Sequence, residues 1–251
     1  MTSRRRHTEP ERTPDHKPVV FLHVMKCAGT SVRVGLADGI AGQRDRSNVF
    51  ELDGTAAKTA AGGTDADNWT FRDALLPYVL DTMRPALVLG HFRYRTRYER
   101  LLDDAHFVTV LRDPVDRIVS LYRYRRYKEG IDVPVSVSFD EYLASKRWAQ
   151  EGHAYVGTFC GKGGLDARSP AAIDAAVANL SRFAVVGFTD HLSDFGQDVA
   201  ACVGKPVNIP ALNASPAPPD TDDIDASSLE VAREVCRPDR EVYERVLART
   251  W

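Results

Sequence analysis

Cysteine is scarce and scattered. Cys27, Cys160, Cys202 and Cys236 are the four among 251 residues, and no C-x-x-C pair occurs. That pattern excludes a disulfide scaffold and the common zinc motifs, and it fits a reducing compartment. Long apolar runs are missing too. No stretch approaches the roughly eighteen apolar residues of a membrane span, and Arg4, Arg5 and Arg6 are followed by no apolar leader core before Pro18. A cytoplasmic chain without a membrane partner is expected. Charge of one sign is not in excess. The 33 Lys and Arg against 35 Asp and Glu leave a net −2, with no global basic field for nucleic acid. The nucleotide-triphosphate signature G-x-x-x-x-G-K-[ST] is absent, because no GK[ST] occurs anywhere. No His/Asp/Cys cluster has metal-ligand spacing, so no metal is expected. Nothing in the sequence fixes the oligomeric state.

What is present is a globular composition long enough for one large domain. Residues 1–17 are polar, with Pro10 and Pro14, and read as a disordered lead-in; residues 18–251 read as a single domain. Apolar, β-branched runs at Val19–Leu22, 86–90, His106–Leu111 and 183–188 read as buried strands, with a shorter one at 48–52. Helical patterns occupy 71–83, the stretch from Pro114 onward, 138–148, Pro170–Leu180, Leu192–Val203, 227–236 and 239–248. Residues 53–68 read as a flexible loop. Residues 152–164 read as an irregular, Gly-rich stretch and a candidate acceptor lid, and 208–223 as a Pro-rich loop. Strands alternating with helices predict an α/β fold: a central parallel sheet flanked by helices.

The chain is organised around residues 18–36, PVVFLHVMKCAGTSVRVGL. A buried strand ends near His23, a turn carries Lys26, Ala28, Gly29, Thr30 and Ser31, and a helix follows. Strand, tight turn and helix build an anion site, because the first-turn N–H groups lack intrahelical partners and the helix dipole adds positive potential. Gly29 permits close approach of backbone to an oxyanion. Thr30 and Ser31 add hydroxyls and Lys26 a full charge. The strand at His106–Leu111 runs into Arg112-Asp113-Pro114, where Asp113 suits a helix cap and Pro114 a first turn. Arg112 at the strand tip and Ser120 two turns into the helix offer a second anion site. Asp116 and Arg117 read instead as a pair tying strand to helix. Two such sites imply a ligand with two separated charged groups.

HVMKCAGTS resembles the 5′-phosphosulfate loop of the sulfotransferases, and VLRDPVDRIVSLY resembles their 3′-phosphate motif. The likeness is to the carbohydrate-type, family 2 branch. It extends through LGHFRY, FAVVGFTDHLSDF and DREVYERVL, covering roughly residues 18–248. The resemblance implies a P-loop-NTPase-like sulfotransferase fold and 3′-phosphoadenosine-5′-phosphosulfate (PAPS) as donor. It implies a sugar-like or small natural-product acceptor, as in a bacterial-type enzyme. Lys26 would then stabilise the leaving 5′-phosphate. Ala28, Gly29, Thr30 and Ser31 would cradle it, and Arg112 and Ser120 would hold the 3′-phosphate. His91 would be the base on the acceptor hydroxyl, with Glu99, Asp103, Asp104 and His106 as rivals. His23 reads as packed against the sheet.

Met25 and Cys27 stand where the family has Pro and Thr, and the missing Thr hydroxyl predicts a weaker grip on the donor. Leu89 stands where the uronyl-type branch places a second His, which argues against a uronic acid acceptor. Thr158 and residues 213–215 are candidates for adenine contacts. The FRYRTRYER segment and the run Arg123, Arg125, Arg126 and Lys128 would line a cleft for an anionic acceptor, or form solvated faces or a subunit contact. The alternatives are a P-loop-like small-molecule kinase and a non-catalytic nucleotide-binding protein.

Overall fold

Val19, Val20, Phe21 and Leu22 are all buried, and they form the central strand of the molecule. The structure, a computed structural model, describes residues 17–42, 47–63, 65–128, 130, 134–162, 166–212 and 224–250. In chain order the elements are β1 (Val19–Leu22), α1 (Gly29–Leu36, prolonged by a π turn at Ala37–Ala41), β2 (Val49–Leu52), α2 (Gly54–Ala60), α3 (Asp65–Thr82), β3 (Leu87–Gly90), β4 (His106–Leu111), α4 (Pro114–Tyr127), α5 (Phe139–Ala144), α6 (Lys146–Ala149), α7 (Ala154–Phe159), α8 (Pro170–Leu180), β5 (Val185–Phe188), α9 (Leu192–Val203), α10 (Ala226–Val235) and α11 (Arg237–Thr250). The strands make one sheet in the order β2-β3-β1-β4-β5, and every pairing is parallel. The expected α/β architecture is therefore present.

Alternation along β1 explains the layers. Val19 and Phe21 point to one face, where Val32 and Leu36 of α1 and Phe195 and Val199 of α9 cover them. Val20 and Leu22 point to the other, under α3, α7, α8 and α11. Ile118 and Tyr122 of α4 pack with Phe139 and Tyr142 of α5 and Ala232 of α10 in a third cluster.

Several stretches differ from the sequence reading. Residues 53–68 are not a loop: α2 and the start of α3 occupy most of them. Asp53 caps α2 by accepting the Ala56 N–H at 2.6 Å, and Ala57 and Asn68 are buried. Helix 138–148 is broken at Ser145, whose backbone is extended at φ −71° and ψ 126°. Of the stretch 152–164, residues 152–159 are helical, a 3-10 turn at Gln150–His153 leading into α7, and residues 160–162 are irregular as expected. The N–H groups of Tyr155 and Val156 there end on the Asp239 carboxylate at 2.9–3.0 Å, a cap supplied 84 and 83 residues away. Gly152 serves close contact, since a Cβ there would lie 2.6 Å from the Val235 side chain. The readings made for residues 1–16, 163–165 and 213–223 lie outside the described residues.

One edge of α1 is kept bare for the segment 206–212. A Cβ on Gly39 would lie 2.7 Å from the Pro206 carbonyl, and one on Gly35 2.5 Å from the Asn208 carbonyl. At the end of this track, the Ser31 hydroxyl donates to the Leu212 carbonyl at 3.0 Å and accepts its N–H at 3.1 Å.

Candidate functional site

The strand order reverses at β1. The chain leaves β1 for β2 and β3 on one side, then crosses to β4 on the other. Ligands of open parallel sheets gather outside the carboxyl ends of strands at such a switch. Here the two strands also part early. The β1–β4 ladder stops at Phe21↔Val108, whereas β1–β3 continues to Leu22↔Gly90. The buried Thr109 hydroxyl donates to the Leu22 carbonyl at 2.8 Å, filling the place of the missing ladder bond. Beyond it lie the turn 23–28 and the junction at Arg112.

The turn holds two non-glycine residues in the left-handed region, Lys26 at φ 69° and Ala28 at φ 54°. Each such residue costs about 1–3 kcal/mol and persists where its surroundings impose it. Ala28 is the N-cap of α1 without a side-chain cap. Its left-handed backbone, followed by right-handed Gly29, aims successive N–H groups at one point, an anion-binding concavity. Among the described residues the N–H groups of Gly29, Thr30 and Ser31 meet no backbone acceptor, and the first is that of Val32, bonded to the Ala28 carbonyl. The sequence reading places donors on this turn, and three consecutive N–H groups there lack a backbone acceptor. Ser31 differs in one respect. Its side chain is buried and its hydroxyl is engaged by Leu212, so in this structure its N–H rather than its hydroxyl is open to a ligand.

Lys26 extends its ammonium over the Tyr124 ring at 4.3 Å, and Lys128 lies over the same ring at 4.9 Å. Burial lowers the Lys26 pKa, and the charges of Arg112 and Lys128 lower it further. Cations on three segments thus crowd one place, and among the described residues no carboxylate pairs with Lys26 or Arg112. Ser120 stands half-buried on α4, whose start Asp113 caps by accepting the Val115 and Asp116 N–H groups at 2.9 and 3.0 Å. Arg117 is not paired with Asp116. It is wholly buried and faces Asp239 at 3.9 Å.

Cys27 turns away from the cradle. It is buried, and its sulfur lies 3.5 Å from the Tyr155 hydroxyl. A side chain at 27 therefore points inward, and the expected loss of a ligand contact at this position does not arise from its geometry. Burial raises the Cys27 thiol pKa.

His91 follows the end of β3. Its Nδ1 is 2.8 Å from the His23 carbonyl, and the two imidazole rings pack at a 31° tilt with centroids 4.2 Å apart. His23 packs against the end of the sheet. Its ring stacks on Phe21 of β1 at 5.5 Å, has His91 tilted against it, and lies against Gly29, where an added Cβ would come within 1.9 Å of it. Because a carbonyl can only accept, Nδ1 of His91 carries the proton and Nε2 keeps a lone pair. Burial lowers the pKa of both rings. For His91 the His23 carbonyl opposes that shift and Arg72 adds to it; for His23 the charges of His91 and Lys26 add to it. Both are neutral at pH 7. The rivals stand elsewhere: Glu99 pairs with Arg182 at 3.0 Å, and His106 opens β4 at the opposite end of the sheet.

The Arg-rich runs divide their labour. Arg95 is bound to the buried Asp73 at 2.6 Å, and Arg100 to Asp81 at 3.0 Å. Arg93 and Arg72 both lie over the Trp69 ring, 4.7 and 4.2 Å from its centroid. Arg125 pairs with Glu151 at 2.8 Å and covers Trp148. Sequence reasoning missed Tyr124 and Tyr155, which hold the cations and the Arg112 backbone. No motif marks either, since a tyrosine in a helix carries no local signal. Among the described residues, no cluster of three metal-ligating side chains occurs, and no helix is long and apolar enough to cross a membrane.

Solved structures similar to the chain include two sulfotransferases. A sulfotransferase from Alicyclobacillus acidocaldarius is 18% identical, matched over 93% of this chain and 96% of that chain, with a TM-score of 0.47. Mouse sulfotransferase SULT7A1, complexed with PAP, is 12% identical, matched over 88% of this chain and 65% of that chain, with a TM-score of 0.38. No protein-family model and no curated protein matches the chain.

Proposed function

We propose that this chain transfers a sulfuryl group from PAPS to a hydroxyl of a sugar-like or small natural-product acceptor. One observation carries the reading. Lys26, Arg112 and Lys128 converge on a strand-to-helix turn whose N–H groups are open, with no carboxylate among the described residues to neutralise Lys26 or Arg112. Such a site is built for a ligand with strong, separated negative charges.

The donor brings an activated sulfuryl group between two anionic ends, and the residues present fit it. Lys26 and the N–H groups of Gly29, Thr30 and Ser31 face the 5′ end, and Arg112 and Ser120 the 3′-phosphate. As the acceptor oxygen bonds to sulfur, the bond from sulfur to the 5′-phosphate oxygen breaks. Lys26 and the start of α1 meet the charge that grows there. His91 takes the hydroxyl proton on Nε2, the nitrogen left bare by its bond to the His23 carbonyl. No step in this scheme requires a metal.

Calorimetric titration with adenosine 3′,5′-bisphosphate (PAP) in the absence of metal tests the reading. Micromolar or tighter binding, weakened at least tenfold by Arg112→Ala, is expected. ATP with magnesium is the control for the kinase alternative. Absence of PAP binding, or binding indifferent to Arg112→Ala, refutes the donor assignment.

A further inference from the structure

Arg112 sits between two regular elements. β4 ends at Leu111 and α4 begins at Pro114, so neither ladder nor helix claims its peptide groups. Tyr155 claims both. Its hydroxyl accepts the Arg112 N–H at 2.8 Å and donates to the Arg112 carbonyl at 2.5 Å. The same oxygen lies 3.5 Å from the Cys27 sulfur. One hydroxyl therefore touches both turns of the proposed donor site.

Tyr155 is itself firmly held. It is wholly buried, its N–H ends on the Asp239 carboxylate, and the Arg117 guanidinium lies 5.5 Å from its ring centroid. A buried hydroxyl that could have been a phenylalanine is kept here at the cost of desolvation, and what it satisfies is the backbone of a cation with no carboxylate partner among the described residues. We infer that Tyr155 is a positioning residue for the donor. It fixes the Arg112 backbone, and so the direction of its guanidinium, at the 3′-phosphate of a nucleoside bisphosphate. The inference rests on the sulfuryl-donor reading.

Tyr155→Phe keeps the ring and removes only the oxygen. Titrations of the full chain with PAP and with adenosine 5′-phosphate, which lacks the 3′ group, separate positioning from general structure. Tyr155→Phe is expected to weaken PAP about tenfold, the scale of a lost pair of hydrogen bonds, and to leave adenosine 5′-phosphate unchanged. Unchanged PAP affinity, or equal losses for the two ligands, overturns the inference while the donor reading stands. Failure of the unsubstituted protein to bind PAP overturns the donor reading and this inference with it. If Tyr155→Phe does not fold, amide hydrogen exchange of the unsubstituted, ligand-free protein decides. The Arg112 N–H is expected to be protected, and exchange at the rate of an open loop overturns the assignment.

Discussion

Gly29→Ala puts a methyl group where the His23 ring now lies. Gly29 is in the first turn of α1 with an ordinary helical backbone, so the substitution imposes no strain of its own and gains a little helix propensity. The cost is steric. The new Cβ would sit 1.9 Å from both Cε1 and Nε2 of His23 and 2.7 Å from Cδ2. The ring cannot swing aside cheaply, because Phe21 stacks on it at 5.5 Å and His91 packs against it at 4.2 Å. Overpacking of this kind costs about 1–3 kcal/mol. For a chain of this size each kcal/mol moves Tm by about 2–4 °C, so a fall of about 2–12 °C is expected in thermal unfolding. The turnover rate should fall with it, since displacing His23 moves the carbonyl that orients His91. His23→Ala supplies the internal check: with the ring gone, adding Gly29→Ala should cost nothing further in stability. If Gly29→Ala unfolds at the temperature of the unsubstituted protein, or costs as much with the ring absent as present, the packing argument fails.

Two further outcomes follow from the same site. Lys26→Ala is expected to cut turnover by at least about a hundredfold, the scale of a lost transition-state donor, without lowering Tm, because Lys26 is crowded by Arg112 and Lys128; steady-state kinetics and calorimetry read the two effects, and a large Tm loss would assign Lys26 to the fold instead. Stability should also depend on pH below about 6.5, the value for histidine in the unfolded chain. His23 and His91 both titrate lower when folded, so the unfolded chain takes up protons first, and stability present above pH 6.5 is lost as pH falls toward the folded values; the slope should flatten in His23→Asn, and an unaltered slope would show that the buried pair is not its source.

Much of this molecule was legible in its residues, and the reason is local. Val19–Leu22 and His106–Leu111 declare themselves as strands because full burial on a parallel sheet demands unbroken apolar runs. The turn 26–31 and the Arg112-Asp113-Pro114 junction show themselves because caps and anion turns are written in consecutive residues. What sequence could not show is contact at a distance. Helix α7 looks irregular in sequence because Asp239, not a neighbour, supplies its N-terminal cap. Arg117 looks like the partner of Asp116 until the fold brings Asp239 to it. The same holds for Tyr155, which meets Arg112 only when α7 closes over the end of β4.

The bare edge of α1 has a meaning beyond packing. Gly39, Gly35 and Ser31 receive Pro206, Asn208 and Leu212 in strict sequence, with clearances smaller than a methyl group would need. Such an edge works like the bitting of a key. The segment 206–212 fits at one setting and collides at any other, so it cannot slide along α1 by a residue. Leu212 is thereby indexed to the turn that carries Lys26. A ligand that drew the Ser31 hydroxyl toward itself would withdraw, in one motion, a side-chain partner of both peptide groups of Leu212.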